Sequence, residues 1–346
     1  MLSTKPIHLW KYLGLKKTII PKGIKRLFYL SFEDALWDLL EKKSIKKGSV
    51  ILVPEFYCPD VEENIKNHGF KVAYYPVDSE LTTSQKMLTE AINKYNPKVV
   101  IILHPAGIIN QLFSKNYWAK KLYNDLILIE DSVHLIVEPK KIRFLKPNHF
   151  VIDSLRKVIP LQGSNLYGKR EDLDFEAPPI YQSLWYSIEV HALWFMMNLY
   201  RNLGLENKAE KTMQKGYDLI GDSIKPAPGF FIFDILSRHI DIEKVKKIKC
   251  NQIEFYEKKL KKLTGFVRIP SYEKKSKGEL IGYPLILDNN KAERIIGILR
   301  SKGVLVRAEL EGNVWSRGQK MIYLPLGPYL NNDDLEYVTD ICRKIF

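Results

Sequence analysis

Between residues 31 and 157, short apolar runs alternate with segments whose apolar residues recur at helical spacing, and this rhythm leaves few folds open. Ser49-Val-Ile-Leu-Val53, Phe70-Lys-Val-Ala-Tyr-Tyr-Pro-Val77, Lys98-Val-Val-Ile-Ile-Leu103, residues 126–130 and Phe150-Val-Ile-Asp153 read as strands. Helices are expected over residues 34–40, 60–67, 85–95 and 115–123, with Gly69 as the stop of the second. Apolar strands joined by helices predict an α/β fold with a mostly parallel sheet sandwiched by helices. Residues 170–225 read as helical and connective, and Pro226-Ala-Pro-Gly229 as a domain boundary. The expected division is a large domain over 1–225 and a smaller α+β domain over 226–346. In the latter, helices are expected over 241–263, 291–302 and 333–344, with strands over 282–287 and 303–307.

In a parallel sheet, ligands gather at the carboxyl ends of the strands. Tyr57, His104, Asp131 and Lys157 all fall at or just beyond such ends. A lysine and an aspartate on successive strand ends suit one chemistry well. The amine forms a Schiff base with pyridoxal phosphate (PLP), and the carboxylate keeps the pyridine nitrogen protonated so that the ring accepts electrons from a carbanion. Read alone, the lysine is a solvated surface group and the aspartate a helix N-cap.

The chain also carries an ordered set of motifs. Ser31-Phe-Glu-Asp-Ala-Leu36 resembles a helix-opening S-G-x-D-A-L, and Val50-Ile-Leu-Val-Pro-Glu-Phe-Tyr-Cys-Pro59 a strand followed by V-P-x-Y-x-C-P. Leu103-His-Pro-Ala-Gly107 is similar to V-H-x-x-G, Ile129-Glu-Asp-Ser-Val-His134 to I-E-D-A-A-H, and Asp153-Ser-Leu-Arg-Lys-Val-Ile-Pro160 to S-F-R-K-x-L-P. Tyr323-Leu-Pro-Leu326 and Asn332-Asp-Asp-Leu-Glu336 resemble an L-P then x-x-E-E-L ending. Together, from about residue 28 to the C-terminus, they resemble the DegT/DnrJ/StrS family, PLP-dependent aminotransferases of the aspartate-aminotransferase fold (fold type I), many of which aminate nucleotide-linked keto-sugars.

The resemblance implies roles. Lys157 holds the cofactor and, once released, moves the proton between substrate carbon and cofactor. Asp131 pairs with the pyridinium nitrogen. His134 sits near the phenolic oxygen of PLP, or is a core histidine. Ser31 and Ser154, with the backbone amides of Phe32 and Glu33 at a helix N-terminus, bind the phosphate; Ser31 also reads as a plain helix cap. Tyr57 covers a face of the cofactor or belongs to the core. His104 is a further candidate, and Arg156 and Arg307 are candidates for anionic substrate groups. Three departures stand beside these roles. Phe32 replaces the usual glycine, and Glu33 sets an acid beside the phosphate cradle, opposing phosphate unless it points outward. The glycine-rich stretch after the lysine shrinks to Gln162-Gly-Ser-Asn165, and Pro226-Ala-Pro-Gly-Phe230 stands where many members have G-Y-N-Y-R.

The resemblance implies transfer of an amino group from an amino acid, glutamate in the family, to a keto-sugar, nucleotide-linked in many members. It also implies a homodimer. The alternatives are an elimination or dehydration on PLP, and a non-catalytic binding or scaffold protein. The net charge of +14 comes from dispersed lysines, as in Glu41-Lys-Lys-Ser-Ile-Lys-Lys47, and no nucleic-acid-binding motif accompanies it. Scattered Cys58, Cys250 and Cys342 form neither a metal site nor a disulfide framework and suit a reducing compartment. The N-terminus lacks a signal-peptide pattern, and no apolar run spans a membrane, so a cytoplasmic protein is expected. The apolar stretch over 184–200, broken by Glu189 and His191, reads as a buried or interface helix.

Overall fold

The computed structural model describes residues 8–113, 118–119, 122, 124–223, 225–263, 279–304, 306 and 308–346. Its elements in chain order are β1 (Ile24–Tyr29), α1 (Phe32–Lys42), β2 (Val50–Pro54), α2 (Pro59–Asn67), β3 (Lys71–Tyr75), α3 (Gln85–Tyr95), β4 (Val99–Leu103), β5 (Ile127–Ser132), β6 (His149–Asp153), α4 (Leu155–Val158), β7 (Ser164–Lys169), α5 (Leu184–Asn202), α6 (Glu206–Gly221), α7 (Phe231–Ser237), α8 (Ile242–Leu260), β8 (Tyr283–Asp288), α9 (Asn289–Ser301), β9 (Gln319–Leu324) and α10 (Asn332–Ile345).

A seven-stranded sheet runs in the order β1-β7-β6-β5-β4-β2-β3, and β8 and β9 form a separate antiparallel pair. β2 through β6 are parallel to one another, and β7 alone opposes both of its neighbours. The expected mostly parallel sheet flanked by helices, with a smaller α+β region after it, is the observed architecture. Burial follows the two-residue period of strands. Ile51 and Val53 of β2, Val99, Ile101 and Leu103 of β4, and Ile127 and Ile129 of β5 enter one core. The intervening Leu52, Val100, Ile102 and Leu128 enter a second core on the opposite face, with Leu88 and Ile92 of α3. The first core is continuous with the C-terminal region through Ile253, Tyr256, Leu285 and Leu324. Each fully buried leucine or isoleucine here contributes roughly 1.5–3 kcal/mol from its apolar area.

Several expectations are corrected. β1 and β7 lie outside the expected alternation. β1 is an edge strand carrying Lys25 and Arg26, and its pairing is secured by distant partners: Arg26 Nε donates to Asn165 Oδ1 at 2.5 Å, and its guanidinium ion-pairs with Asp234. No strand forms in the described part of 303–307. Val304 and Val306 are buried, and only Ala308 bridges to Ile322 of β9, which is the true partner of β8. The helix expected over 115–123 falls largely outside the described residues. α5 is not a buried helix in this chain: Trp185 is 81% and Phe195 69% exposed.

The loop after β4 is fixed by backbone contact with the C-terminal region. Ile281 N donates to Ala106 O at 3.0 Å, and Gly107 adopts φ +86 against the Glu279 carbonyl. A Cβ on Gly107 would stand 2.3 Å from Glu279 O, in a backbone conformation unfavourable to side chains. Gly107→Ala is therefore expected to cost about 2 kcal/mol or more, seen as a lower thermal midpoint; an unchanged midpoint would show that this contact gives way freely.

Candidate functional site

The parallel strands bring their carboxyl ends to one edge of the sheet. Register sets Leu103 opposite Asp131, Asp131 opposite Ile152, and Ser132 opposite Asp153. The chain that leaves β6 through Ser154 into α4 therefore starts beside the end of β5. Asp131 is 3% exposed. Its Oδ1 accepts from the Val133 amide and its Oδ2 from the Tyr57 hydroxyl, each at 3.1 Å. Burial raises its pKa from 3.8 to about 6, opposed by the Val133 amide, the neighbouring His134 and the Tyr57 hydroxyl. No lysine or arginine of the described residues pairs with this carboxylate, so its ionised form lacks a cation.

Lys157 lies on α4, a single turn opened by Ser154. Ile159 is extended and Pro160 follows, so the turn cannot continue. Lys157 is half-buried, and its amine makes no hydrogen bond or ion pair among the described residues. Burial raises the Cys58 thiol, and the Lys157 charge is the largest effect pulling it back, which places the amine near the start of α2. The Ser154 hydroxyl is buried and does not cap the helix.

The segment after Lys157 is a clasp. Gln162 Nε2 donates to Leu30 O at 2.6 Å, Ser164 Oγ to Asp153 O at 2.5 Å, and Asn165 holds the Asp153 carboxylate through its backbone and side-chain nitrogens, both at 2.7 Å. Gly163 lies against the Phe28 ring, where a Cβ would approach to 2.3 Å. Gln162 and Gly163 thus tie α4 to the residues just before α1.

At that start, Ser31 acts as a helix cap. Its Oγ accepts from Asp34 N at 3.0 Å and donates to Asp34 Oδ2 at 2.6 Å. Asp34 Oδ1 accepts from Ala227 N at 2.9 Å, so residues 226–229 are pinned here as well. Burial lifts Asp34 to a pKa of about 7, against the Ser31 and Ala227 hydrogen bonds; Glu33 raises it further and Arg156 lowers it. The Phe32 side chain is core. The amides of Phe32 and Glu33 remain the open donors of the first turn. Glu33 is half-buried, and one of its carboxylate oxygens, Oε2, is sealed from solvent without a hydrogen-bond partner. Nε and Nη1 of Arg156 are likewise sealed and unpartnered.

His134 is fully buried. Its Nδ1 accepts from Ala106 N at 3.2 Å, and its Nε2 lies 3.2 Å from Oε1 of Glu309, a buried residue of the C-terminal region. Glu309 carries no local signal in the sequence; only the fold brings it to His134. Tyr57 is buried with its hydroxyl committed to Asp131. His104 belongs to a separate cluster: its Nε2 is 2.8 Å and that of His149 3.4 Å from the Glu130 carboxylate, and both Nδ1 atoms accept backbone amides. Burial raises Glu130, but the two histidines outweigh it and bring the pKa to about 2. Arg307 lies outside the described residues.

These residues fit PLP in its essential contacts. Lys157 offers an uncommitted amine, Asp131 a buried carboxylate lacking a cation, and Ser154 and Arg156 hydrogen-bond donors beside the lysine. Glu33 alone opposes the phosphate.

No family model matches the sequence, and a search of curated protein sequences returns no match. Solved structures do match. Helicobacter pylori PseC, an aminotransferase involved in the biosynthesis of pseudoaminic acid, is 14% identical over 98% of this chain and 89% of its own, with a TM-score of 0.62. The apo form of the putative sugar aminotransferase Spr1654 from Streptococcus pneumoniae is 14% identical over 95% and 87%, at 0.60. A DegT DnrJ EryC1 StrS aminotransferase from Brucella abortus is 15% identical over 93% and 86%, at 0.57. The chain therefore shares the aspartate-aminotransferase-like fold of these proteins.

The folded chain binds the Asp131 proton more tightly than the unfolded chain, so stability falls as pH rises from 3.8 to about 6 and the cost is complete above that window. Asp131→Asn, which cannot ionise, is expected to stabilise the ligand-free protein by about 1–3 kcal/mol at neutral pH. The gain should vanish below pH ~4, where both side chains are neutral. Thermal melts across pH check this; a destabilised Asn variant at neutral pH would contradict it.

Proposed function

We propose that the chain is a PLP-dependent aminotransferase that passes an amino group from an amino acid, glutamate in the leading version, to a keto-sugar carried on a nucleotide. The observation that carries this reading is an uncommitted Lys157 amine on the turn that follows β6, while the adjacent β5 ends in a buried Asp131 that pairs with no lysine or arginine of the described residues. Bound PLP would supply the electron sink for a carbanion at the carbon bearing the transferred nitrogen. The chain's own residues supply the rest. Lys157 would hold the cofactor by its amine, and that amine, once free, would accept and return the migrating proton. Asp131 would hold the ring nitrogen, a cation that would favour its ionised state. Tyr57 and the Val133 amide hold the carboxylate in place. His134 stands behind it, its Nδ1 occupied by a backbone amide.

The reading divides the chain near residue 226 and includes a homodimer. The aromatic face of α5, with Trp185 and Phe195 exposed, and Phe231 and Ile232 of α7 suit a subunit contact. No helix of the described residues is long and apolar enough to cross a membrane. The Glu33 carboxylate, with its Oε2 sealed and unpartnered, favours one rival, a non-catalytic protein that keeps the fold and does not hold PLP.

Protein mixed with PLP is expected to gain absorbance near the visible edge and, after borohydride, a stable adduct on Lys157 that Lys157→Ala abolishes. An adduct on another lysine overturns the assignment, and no binding at micromolar PLP favours the rival. Conversion of one equivalent of glutamate to its keto acid without acceptor would separate transamination from elimination.

A further inference from the structure

Arg156 has a role that the reading of Lys157 does not supply. Its Nε and Nη1 are closed to solvent and make no hydrogen bond. The guanidinium rests instead on aromatic rings, 4.7 Å from the centroid of Tyr217 and 5.6 Å from that of Trp194. Stacking offsets part of the cost of burying this cation but satisfies none of its N–H donors. It sits on α4 next to Lys157, one turn that also carries the uncapped Ser154 hydroxyl. Its charge reaches Asp34 in the first turn of α1 and the Tyr186 hydroxyl of α5. The Glu33 charge reaches the same two groups with the opposite sign. A half-buried cation and a half-buried anion thus share one neighbourhood, and each holds sealed atoms without a hydrogen-bond partner.

Arginine, with five fixed donors and a charge that persists at any working pH, suits a phosphate better than serine hydroxyls alone. The open amides of Phe32 and Glu33 supply donors but no full positive charge, and the Glu33 carboxylate adds a negative one, so a phosphate held here needs a counter-charge. We propose that Arg156 is the counter-ion of a phosphate monoester on the ligand that Lys157 binds, and that Glu33 is the opposing charge that limits how tightly the phosphate is held. The proposal rests on the reading of Lys157 above. It makes Arg156 a ligand-binding residue instead of a structural cation stacked on α5 and α6.

Two aldehydes that differ only in the phosphate, PLP and pyridoxal, separate the roles. Their apparent affinities are read from absorbance and from the borohydride-trapped adduct, for the wild type, Arg156→Met, Arg156→Lys and Glu33→Gln. The expected result is that Arg156→Met reduces the preference for PLP over pyridoxal by about tenfold or more while pyridoxal binding is unchanged. Arg156→Lys should recover part of that preference, and Glu33→Gln should increase it. A PLP preference that survives in both Arg156 variants overturns the proposal, as does an equal loss for both aldehydes. If Arg156→Met does not fold, the Lys and Gln variants carry the same comparison. If neither aldehyde modifies Lys157 in the wild type, the reading of Lys157 fails, and inorganic phosphate then decides for Arg156. A rise in thermal midpoint with phosphate that Arg156→Lys diminishes upholds the anion site, and no rise in the wild type removes it.

Discussion

Burial of the central strands on both faces is the constraint from which the rest follows. Alternate residues of β2, β4 and β5 enter opposite cores, so neither face can be left to water. Parallel neighbours covered on both faces require helical crossovers, and crossovers deliver every parallel strand in the same direction. Tyr57, His104, Asp131 and Ser154 consequently arrive at one edge, although residues from distant parts of the chain follow each strand. The candidate site is thus a by-product of how the sheet can be buried. The register between β5 and β6 adds the local precision, setting Asp131 beside the strand that leads to Lys157.

The elements visible in the sequence are those whose order is locally encoded. α3 spans the expected Gln85–Tyr95, capped by Ser84 and closed by Asn96 at φ +44. The apolar runs of β2, β4, β5 and β6 needed only turn signals to be delimited. β1 and β7 escaped because their stability is not in their own residues. β7 reads Ser-Asn-Leu-Tyr-Gly-Lys, poor in strand formers, and is held by Ser164 and Asn165 on Asp153 and by pairing with β1. The site divides the same way. The positions of Asp131 and Lys157 could be read from strand ends. The sealing of Glu33 Oε2, the hold of Asp34 on Ala227 and the approach of Glu309 to His134 could not, because each depends on packing that the local sequence does not encode.

The acids of this edge show what such packing does to charge. Burial raises Asp131 and Asp153 to about 6 and Asp34 to about 7, even though each accepts hydrogen bonds. Hydrogen bonds alone do not replace the water lost by a carboxylate. Glu130 is the counterexample: two imidazoles hold it ionised, and its surroundings are complete without any ligand. Asp131, a strand neighbour of the same chain segment, has two donors and no cation, so it is the one placed to gain from a ligand that brings a positive charge.

The C-terminal region touches this machinery at more than one point. Glu309 lies beside His134, whose other nitrogen accepts the Ala106 amide, and the Ala106 carbonyl accepts Ile281 N. His134 is fully buried, and its Nδ1 is taken by the Ala106 amide. Its place is explained as a strut that fixes the loop after β4 and the end of β5 against the C-terminal region. The same contacts tie the position of the C-terminal region to the end of β5, since Glu309 and Asp131 lie on either side of the short segment that carries His134. The sheet edge and the C-terminal region are in this way held together by the His134 imidazole and by the backbone bond between Ala106 and Ile281.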